Sequence, residues 1–254
     1  EPAVDEDVVV DVVVFATLEH DSAVLVAVDD VVVHRVATGE AVEVDAPGEE
    51  VRPAVGGGVA DGVAHEVVVE TPIHGDTLTN MDVRSIQNVF VAYKERVLDL
   101  ARDKRFRFTI VFKNHGATAG ASLDHSHSQL ISIPIVPKRI SEEITGALDY
   151  YRYKDRCVFC DIIAQEKDDN VRVIYENAKF IALSPYASRF PFETWILPKR
   201  HQHYFRLIED REIPSLGDIL KRTAAALKRA LSDPPYNLII HSAPQLSEKY
   251  IKSA

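Results

Sequence analysis

Residues 114–137, with the sequence NHGATAGASLDHSHSQLISIPIVP, join a glycine loop to a histidine pair and then to an apolar run. The polar and apolar residues of the second part alternate in a pattern typical of a strand with two different faces. Side chains two positions apart in an extended strand point the same way. We therefore expect His125, His127 and Gln129 to lie on one face of a strand.

The composition of the loop and the strand favours a site that binds a phosphate group. Gly116 and Gly120 permit backbone turns that other residues avoid, and they let main-chain N–H groups approach anionic oxygens. Asn114 and Ser122 place side-chain donors at the two ends of the loop. A neutral imidazole is nucleophilic near pH 7, provided that an acceptor such as a backbone carbonyl holds its other ring nitrogen. A metal pair or two partly exposed histidines are alternative interpretations of H-x-H.

A strand–helix–strand unit surrounds this motif. Strands are predicted at HEVVVE (65–70) and FRFTIVF (106–112), because both runs are rich in β-branched or aromatic residues. Between them, residues 82–103 carry an apolar stripe at helical spacing, with Asn80 as the expected cap. The valine-rich runs of residues 1–64 also suit strands.

The second half of the chain repeats this unit at an offset of 127 residues. His201 stands at that distance after His74, and a second amphipathic helix follows it, ending at a DPP turn. The same offset applied to His127 reaches Ala254, the last residue of the sequence. We therefore expect the second copy of the motif to be incomplete at its C-terminus.

The segment FKNHGATAGASLDHSHSQL resembles the active-site segment of the galactose-1-phosphate uridylyltransferase family, within the histidine-triad superfamily. The family pattern is Asn, Gly, Gly-x-Ser and then H-x-H-x-Q, and each of these elements occurs here. The resemblance extends over roughly residues 65–254 and implies an α+β fold of two tandem histidine-triad-like halves, each an antiparallel sheet with a packed helix. The expected halves are residues 1–137, which carry the nucleophile, and residues 138–254.

The resemblance also implies roles for individual residues of the motif. His127 is expected to be the nucleophile that takes up a nucleoside monophosphate, and Gln129 to hydrogen-bond the transferred phosphoryl oxygens. Asn114 and Ser122 are implied as further phosphate contacts. His125 matches a zinc ligand of the family, and so does His74.

The metal sites of the two halves are expected to differ. In the family a CxxC near the N-terminus completes the first-half site, but residues 1–64 contain no cysteine. We therefore expect no zinc there, with His74 and His125 bonded to each other or to backbone. In the second half, Cys157 and Cys160 of CVFC match the other zinc site together with His201.

The expected cofactor is therefore one zinc ion per chain, in the second half, with a fourth ligand from the incomplete motif. A redox CxxC and a pair of ordinary buried thiols are the alternatives. With only two cysteines in the chain, a disulfide scaffold is excluded.

The resemblance implies an enzyme that moves a nucleoside monophosphate, UMP first, between UDP-hexose and a hexose 1-phosphate by a ping-pong mechanism. The form HSHSQ, in place of the more usual H-P-H, also resembles ADP-sugar or dinucleotide phosphorylases. A hydrolase is a further option, although the Gln after H-x-H favours transfer. A zinc-stabilised nucleotide-binding module without turnover is the alternative from another class. A homodimer is expected, again from the resemblance.

The charge balance limits the other partners. A net charge of −10 argues against binding along a nucleic acid, because phosphate backbones are recognised through an excess of Lys and Arg. No run approaches the roughly 20 apolar residues that cross a bilayer, and the N-terminus lacks a signal pattern. A cytoplasmic protein without membrane partners is the expectation.

Overall fold

The computed structural model describes residues 62–245, together with the backbone of two earlier strands at 10–15 and 32–36. The mirror positions near Ala254 lie outside the described residues. Two of the valine-rich runs form strands, as predicted.

The described residues form nine strands and four α-helices. The strands are β1 Val10–Phe15, β2 Val32–Val36, β3 Ala64–Val69, β4 Phe108–His115, β5 His127–Ile133, β6 Val173–Glu176, β7 Phe180–Leu183, β8 Thr194–Pro198 and β9 Tyr236–His241. The helices are α1 Val83–Leu100, α2 Lys138–Lys154, α3 Val158–Asp169 and α4 Ile213–Leu231. None of these helices combines the length and the apolar character that crossing a bilayer requires.

All the strands belong to one sheet, in the order β2-β3-β5-β4-β9-β1-β8-β7-β6. Neighbours pair antiparallel except at β1, which runs parallel to both β9 and β8. The α+β class expected from the sequence is confirmed. The sheet is nevertheless continuous rather than divided, because β4 of the first half pairs with β9 of the second and β1 lies between β9 and β8. The division at residue 137 stays a prediction.

Helix α1 occupies the predicted segment, but its cap differs from the prediction. The side chain of Asp82 caps the helix by accepting a hydrogen bond from the Ser85 N–H at 2.7 Å. Asn80 accepts instead from the Thr77 N–H and so closes the preceding turn. Asp82 takes the cap because it directly precedes the first helical residue, where a side-chain oxygen reaches an unpaired N–H group.

The main core lies between one face of the sheet and helices α1 and α4. It includes Phe90 and Ile86 of α1, Leu216 and Leu220 of α4, and Leu130 of β5, all at most 3% exposed. Both helices show the apolar stripe that the sequence predicted. The amphipathic stripe therefore sets which face of the sheet is covered.

The opposite face of the sheet is covered over only part of its width. Under β7 and β8, Ile162 and Ile163 of α3 pack on a second cluster that contains Leu197. On β4, β5 and β9 the same face carries the half-buried residues Phe112, Gln129 and Ile239, which lie side by side across the strands. This open face of the sheet carries the candidate site.

The packing of α1 gives a test of the fold. Phe90 is 1% exposed, and its ring centroid lies 6.4 Å from that of Phe205 and 5.8 Å from that of Tyr93. Phe90→Ala should lower the free energy of unfolding by about 3–5 kcal/mol, because it leaves a cavity in the core. Urea denaturation measures the change. Tyr153→Ala, at a residue 80% exposed, is the control and should change it by less than about 0.5 kcal/mol. A small loss for Phe90→Ala would contradict this packing.

Candidate active site

His127 begins β5 and is only 3% exposed. Its Nδ1 lies 2.8 Å from the main-chain oxygen of His125. A carbonyl oxygen only accepts hydrogen bonds, so Nδ1 carries the proton and Nε2 of the neutral ring keeps its lone pair. This is the arrangement that the sequence analysis required of a nucleophilic histidine.

His125 lies just before β5, in a bend of the chain at residues 124 and 125. The regular alternation predicted for His125, His127 and Gln129 therefore starts only at His127. The Nε2 of His125 donates to the carbonyl of Thr71 at 2.6 Å, and its Nδ1 lies 3.4 Å from Nδ1 of His74. Both contacts were among the alternatives expected for a first half without zinc. Within residues 62–245, no third cysteine, histidine or carboxylate joins this pair in a metal-ligand cluster.

The glycine loop is shaped by its backbone and by a close neighbour. Gly116 has φ of +84°, and a Cβ atom there would lie 2.9 Å from Cβ of Pro235, so glycine is required on both counts. The N–H groups of Ala119 and Ala121 donate to the carbonyl of Gly116, and that of Gly120 donates to Ala117. The expectation that main-chain N–H groups of the loop meet a phosphate does not hold for these three, because they close the loop's own turn.

Asn114 is held from the second half of the chain. It lies directly opposite Asn237 in the β4–β9 pairing. The amide of Asn237 donates to Oδ1 of Asn114 at 2.8 Å and to the carbonyl of Ala119 at 2.9 Å. Asn114 in turn donates to the carbonyl of Gly120 at 3.3 Å, which leaves one of its amide hydrogens for a ligand. Ser122, the other predicted donor, is exposed.

Gln129 lies on the same face of β5 as His127, as predicted. It is half-buried, between Val67 of β3 and Phe112 of β4 in the strand register. Its side-chain oxygen lies 2.8 Å from Nε2 of His65. An imidazole therefore anchors one end of the amide.

A charged group that the sequence analysis missed lies on the other face of these strands. Lys113 of β4 and Glu70 at the end of β3 have side chains that are 2% and 0% exposed, and their charged atoms are 2.7 Å apart. The Lys113 ammonium also donates to Oγ of Ser126 at 3.0 Å and to the carbonyl of His127 at 3.1 Å. All three of its N–H donors are therefore used.

The carboxylate of Glu70 is equally well satisfied. It accepts from Ser126 at 2.7 Å, from Tyr93 at 3.1 Å and from Ser128. Burial alone would raise the pKa of Glu70, but the Lys113 ammonium and these hydrogen bonds outweigh it and lower the pKa below its ordinary value. Burial, and then the charge of Glu70, raise the pKa of Tyr93 well above its ordinary value, so its hydroxyl stays a donor.

Strand alternation was the signal for this pair. Lys113 has the same parity along β4 as the buried Val111, and Glu70 has the same parity along β3 as the buried Val68. A charge on the apolar side of a strand needs a buried partner. Lys113 and Glu70 have opposite charges and each lies near the end of its strand. The sequence alone could therefore have indicated that they pair. Asn237 had no comparable signal, because only the β4–β9 pairing brings it to the loop.

The second-half residues predicted as metal ligands also come together. The ligand atoms of Cys157, Cys160 and His201 lie within 4.8 Å of one another, and Sγ of Cys160 is 3.3 Å from Nδ1 of His201. Burial, and then the neighbouring Cys157, raise the pKa of Cys160 to about 11. A cation at this point would stabilise both thiolates, so the donor set fits zinc with three ligands.

These residues open onto a cavity of about 170 Å³ between α2, α3 and the ends of β8 and β9. His241 and Glu143 line the same cavity, with 3.1 Å between Nδ1 of the imidazole and the carboxylate. Burial would raise the pKa of Glu143, but the contact with His241 and nearby arginines lower it overall.

Comparison with known proteins matches both the motif and the fold. Residues 61–137 match the family described as galactose-1-phosphate uridyl transferase, N-terminal domain. Over 180 residues, 71% of this chain, the sequence is 38% identical to an ADP-glucose phosphorylase from Arabidopsis thaliana and covers 50% of it. Over 180 residues, 70% of this chain, it is 32% identical to a galactose-1-phosphate uridylyltransferase from Thermotoga maritima and covers 56% of it. The chain thus spans about half the length of these curated relatives.

Among solved structures, the fold is similar to that of a GalT-like protein from Arabidopsis thaliana. The TM-score is 0.70 at 35% sequence identity, and the match covers 80% of this chain and 68% of that one. The similarity therefore extends well beyond the glycine loop and the histidine pair.

The buried pair of Lys113 and Glu70 gives a test of the site. Lys113→Met should lower the free energy of unfolding by about 3–5 kcal/mol, because it leaves a buried carboxylate without its cation. The double variant Glu70→Gln/Lys113→Met should recover part of that loss, since neither charge is then buried. Urea denaturation at pH 7 measures both. Equal stability of Lys113→Met and the unsubstituted chain would show that the ammonium is not buried as described.

The same pair predicts a pH dependence. Because the pKa of Glu70 is lower in the folded chain than its ordinary value of 4.5, its contribution to stability is present above that value. The contribution is lost as the pH falls through the folded-state pKa. The free energy of unfolding of the unsubstituted chain should therefore exceed that of Glu70→Gln/Lys113→Met by less below about pH 4.5 than at pH 7. An advantage that grows on acidification would contradict the sign of the pKa shift.

Proposed function

The chain belongs to the galactose-1-phosphate uridylyltransferase family, and on that basis we propose that it transfers a nucleoside monophosphate through a covalent nucleotidyl-His127 intermediate. One observation carries the proposal: a buried His127 whose Nδ1 donates to a carbonyl at 2.8 Å, which leaves Nε2 as the free nucleophile. The Gln on the same strand face and the glycine loop beside it supply a place for the phosphate.

The reaction consists of two displacements at phosphorus. In the first, the lone pair of His127 Nε2 attacks the α-phosphorus of a nucleotide sugar. The bond to the bridging oxygen breaks, and the sugar 1-phosphate leaves with that electron pair. In the second, an oxygen of a phosphate acceptor attacks the same phosphorus, and the P–N bond breaks to restore the imidazole. Two in-line displacements retain the configuration at phosphorus.

The neighbouring residues have proposed roles in holding the phosphoryl group. Gln129 donates its amide hydrogens to the transferred phosphoryl oxygens, and the remaining amide hydrogen of Asn114 donates to the phosphates of the donor. Ser122 is close in sequence and exposed, so its hydroxyl is available to the same ligand. Gly116 and Gly120 give the loop the shape that brings these groups together.

Two donors are compatible with the family. The first prediction from the sequence was UDP-hexose with a hexose 1-phosphate acceptor. The higher identity to the ADP-glucose phosphorylase, together with the form HSHSQ, favours ADP-glucose as donor and inorganic phosphate as acceptor. We adopt the ADP-glucose reaction as the leading proposal and the uridylyl reaction as the second.

The proposed cofactor is one structural zinc ion held by Cys157, Cys160 and His201. These ligands join the start of α3 to the chain that follows β8, so the ion would stabilise the second half and takes no part in the displacements. For the first half we propose no zinc. The homodimer and the cytoplasmic location expected from the sequence stay predictions.

Covalent labelling tests the proposed function. After incubation with ADP-glucose, the intact chain should gain the mass of AMP, and His127→Ala should gain nothing, because the nucleophile is absent. UDP-glucose in a parallel incubation tests the second donor. His125→Ala should reduce labelling less, because its proposed role is to hold the chain before β5.

The outcomes separate enzyme from binding module. If calorimetry detects binding of a nucleotide sugar but the chain gains no mass with either nucleotide sugar, the protein is a binding module without turnover. Labelling of His127→Ala at the normal level would exclude His127 as the nucleophile.

Elemental analysis tests the zinc proposal. The purified chain should contain one zinc ion, and Cys157→Ala/Cys160→Ala should contain none, because the two thiolates supply most of the affinity. Two ions per chain would mean that the first half holds metal as well. If the unsubstituted chain contains no metal, Cys157 and Cys160 are a pair of ordinary thiols and the zinc proposal is wrong.

A further inference from the structure

His65 is a half-buried residue of β3, and its side chain lies on the open face of the sheet. Its Nε2 lies 2.8 Å from the side-chain oxygen of Gln129. An amide oxygen only accepts hydrogen bonds, so His65 is the donor. This contact joins a residue without a proposed role to the amide proposed to hold the phosphoryl group.

The strand register fixes the direction of the contact. In the β3–β5 pairing His65 is opposite Ile131, Val67 is opposite Gln129, and Val69 is opposite His127. Gln129 therefore lies between His65 on one side and His127 on the other. Because the oxygen and the nitrogen of a carboxamide diverge from one carbon, anchoring the oxygen at the His65 side turns the N–H donors toward the His127 side.

We propose that His65 is a positioning residue, which holds the Gln129 amide with its two N–H donors facing the phosphoryl group on His127. The role rests on the proposed nucleotidyl transfer. Without the donor at His65, the amide can rotate by half a turn about its last torsion and present its oxygen to an anionic phosphoryl group. That orientation removes a hydrogen bond and adds a repulsion between oxygens.

The expected effect is on the chemical step. The phosphoryl oxygens gain charge on their way to the transition state. Hydrogen-bond donors aimed at these oxygens therefore stabilise the transition state more than they stabilise the bound nucleotide sugar. Removal of one such hydrogen-bond donor costs about 10²–10³ in rate, so loss of only the group that orients it should cost less, roughly tenfold to a hundredfold. The affinity for the nucleotide sugar should change little, because binding of its sugar and its base does not depend on this amide.

The test uses two replacements of His65. His65→Phe keeps a ring of similar size but has no donor. His65→Gln places an amide nitrogen at the same number of bonds from Cβ as Nε2 of histidine and so restores a donor. The rate of nucleotidyl-His127 formation is measured by rapid quench with ADP-glucose and with UDP-glucose, and donor affinity by titration calorimetry. Thermal unfolding shows that each variant is folded.

His65→Phe should form the intermediate roughly ten to a hundred times more slowly at unchanged affinity, and His65→Gln should recover most of the rate. In a Gln129→Ala background, His65→Phe should cause no further loss, because His65 acts through the amide. A normal rate for His65→Phe, or a loss of the same size in the Gln129→Ala background, overturns the role. Absence of any nucleotidyl-enzyme in the unsubstituted chain with both donors overturns the proposed function itself, and this role with it.

Discussion

The Lys113 ammonium must be neutralised where it lies, because a buried charge without partners costs several kcal/mol. Its three acceptors come from two other segments: the carboxylate of Glu70 after β3, and the Ser126 hydroxyl and the His127 carbonyl at the start of β5. Lys113 itself belongs to β4. The one cation therefore ties three neighbouring strands together at the residue that carries the proposed nucleophile. Tyr93 extends the network to α1, so the helix that covers the sheet is fixed to the same point.

The two faces of β5 have different roles in the proposed site. On the covered face the charge network fixes the main chain at residues 126 to 128. The opposite face carries the buried ring of His127 and the half-buried amide of Gln129, the two groups proposed to meet the ligand. The hydrogen bond from His127 Nδ1 to the His125 carbonyl sets the tautomer, and it depends on the bend before β5. The loop is fixed from the other half, since Asn237 of β9 bonds both Asn114 and the Ala119 carbonyl. The proposed site in the first half therefore depends on β9 of the second for the position of its loop.

The sequence was most informative where a local pattern coincides with a local structure. Helices α1 and α4, the shared face of His127 and Gln129, and the proximity of Cys157, Cys160 and His201 all followed from spacing or from the family resemblance. Helix α2 was not predicted, although Ile140, Ile144 and Leu148 follow a helical spacing; none of its residues is buried, so it adds little to the core. The parallel position of β1 was also missed, because it depends on pairing with strands about 180 and about 230 residues away. Charge partners such as Glu70 and Lys113, and the contact between His65 and Gln129, likewise join segments that only the folded sheet brings together.

The central claim is that the fold presents Nε2 of His127, and no other atom, to phosphorus. Proton–phosphorus correlation NMR on the nucleotidyl-enzyme tests it directly, because the two ring nitrogens have different neighbours. Phosphorus on Nε2 couples to both carbon-bound ring protons, whereas phosphorus on Nδ1 couples to one of them. We predict couplings to both ring protons of His127. Coupling to a single ring proton, or a phosphorus resonance assigned to any other residue, would contradict the account.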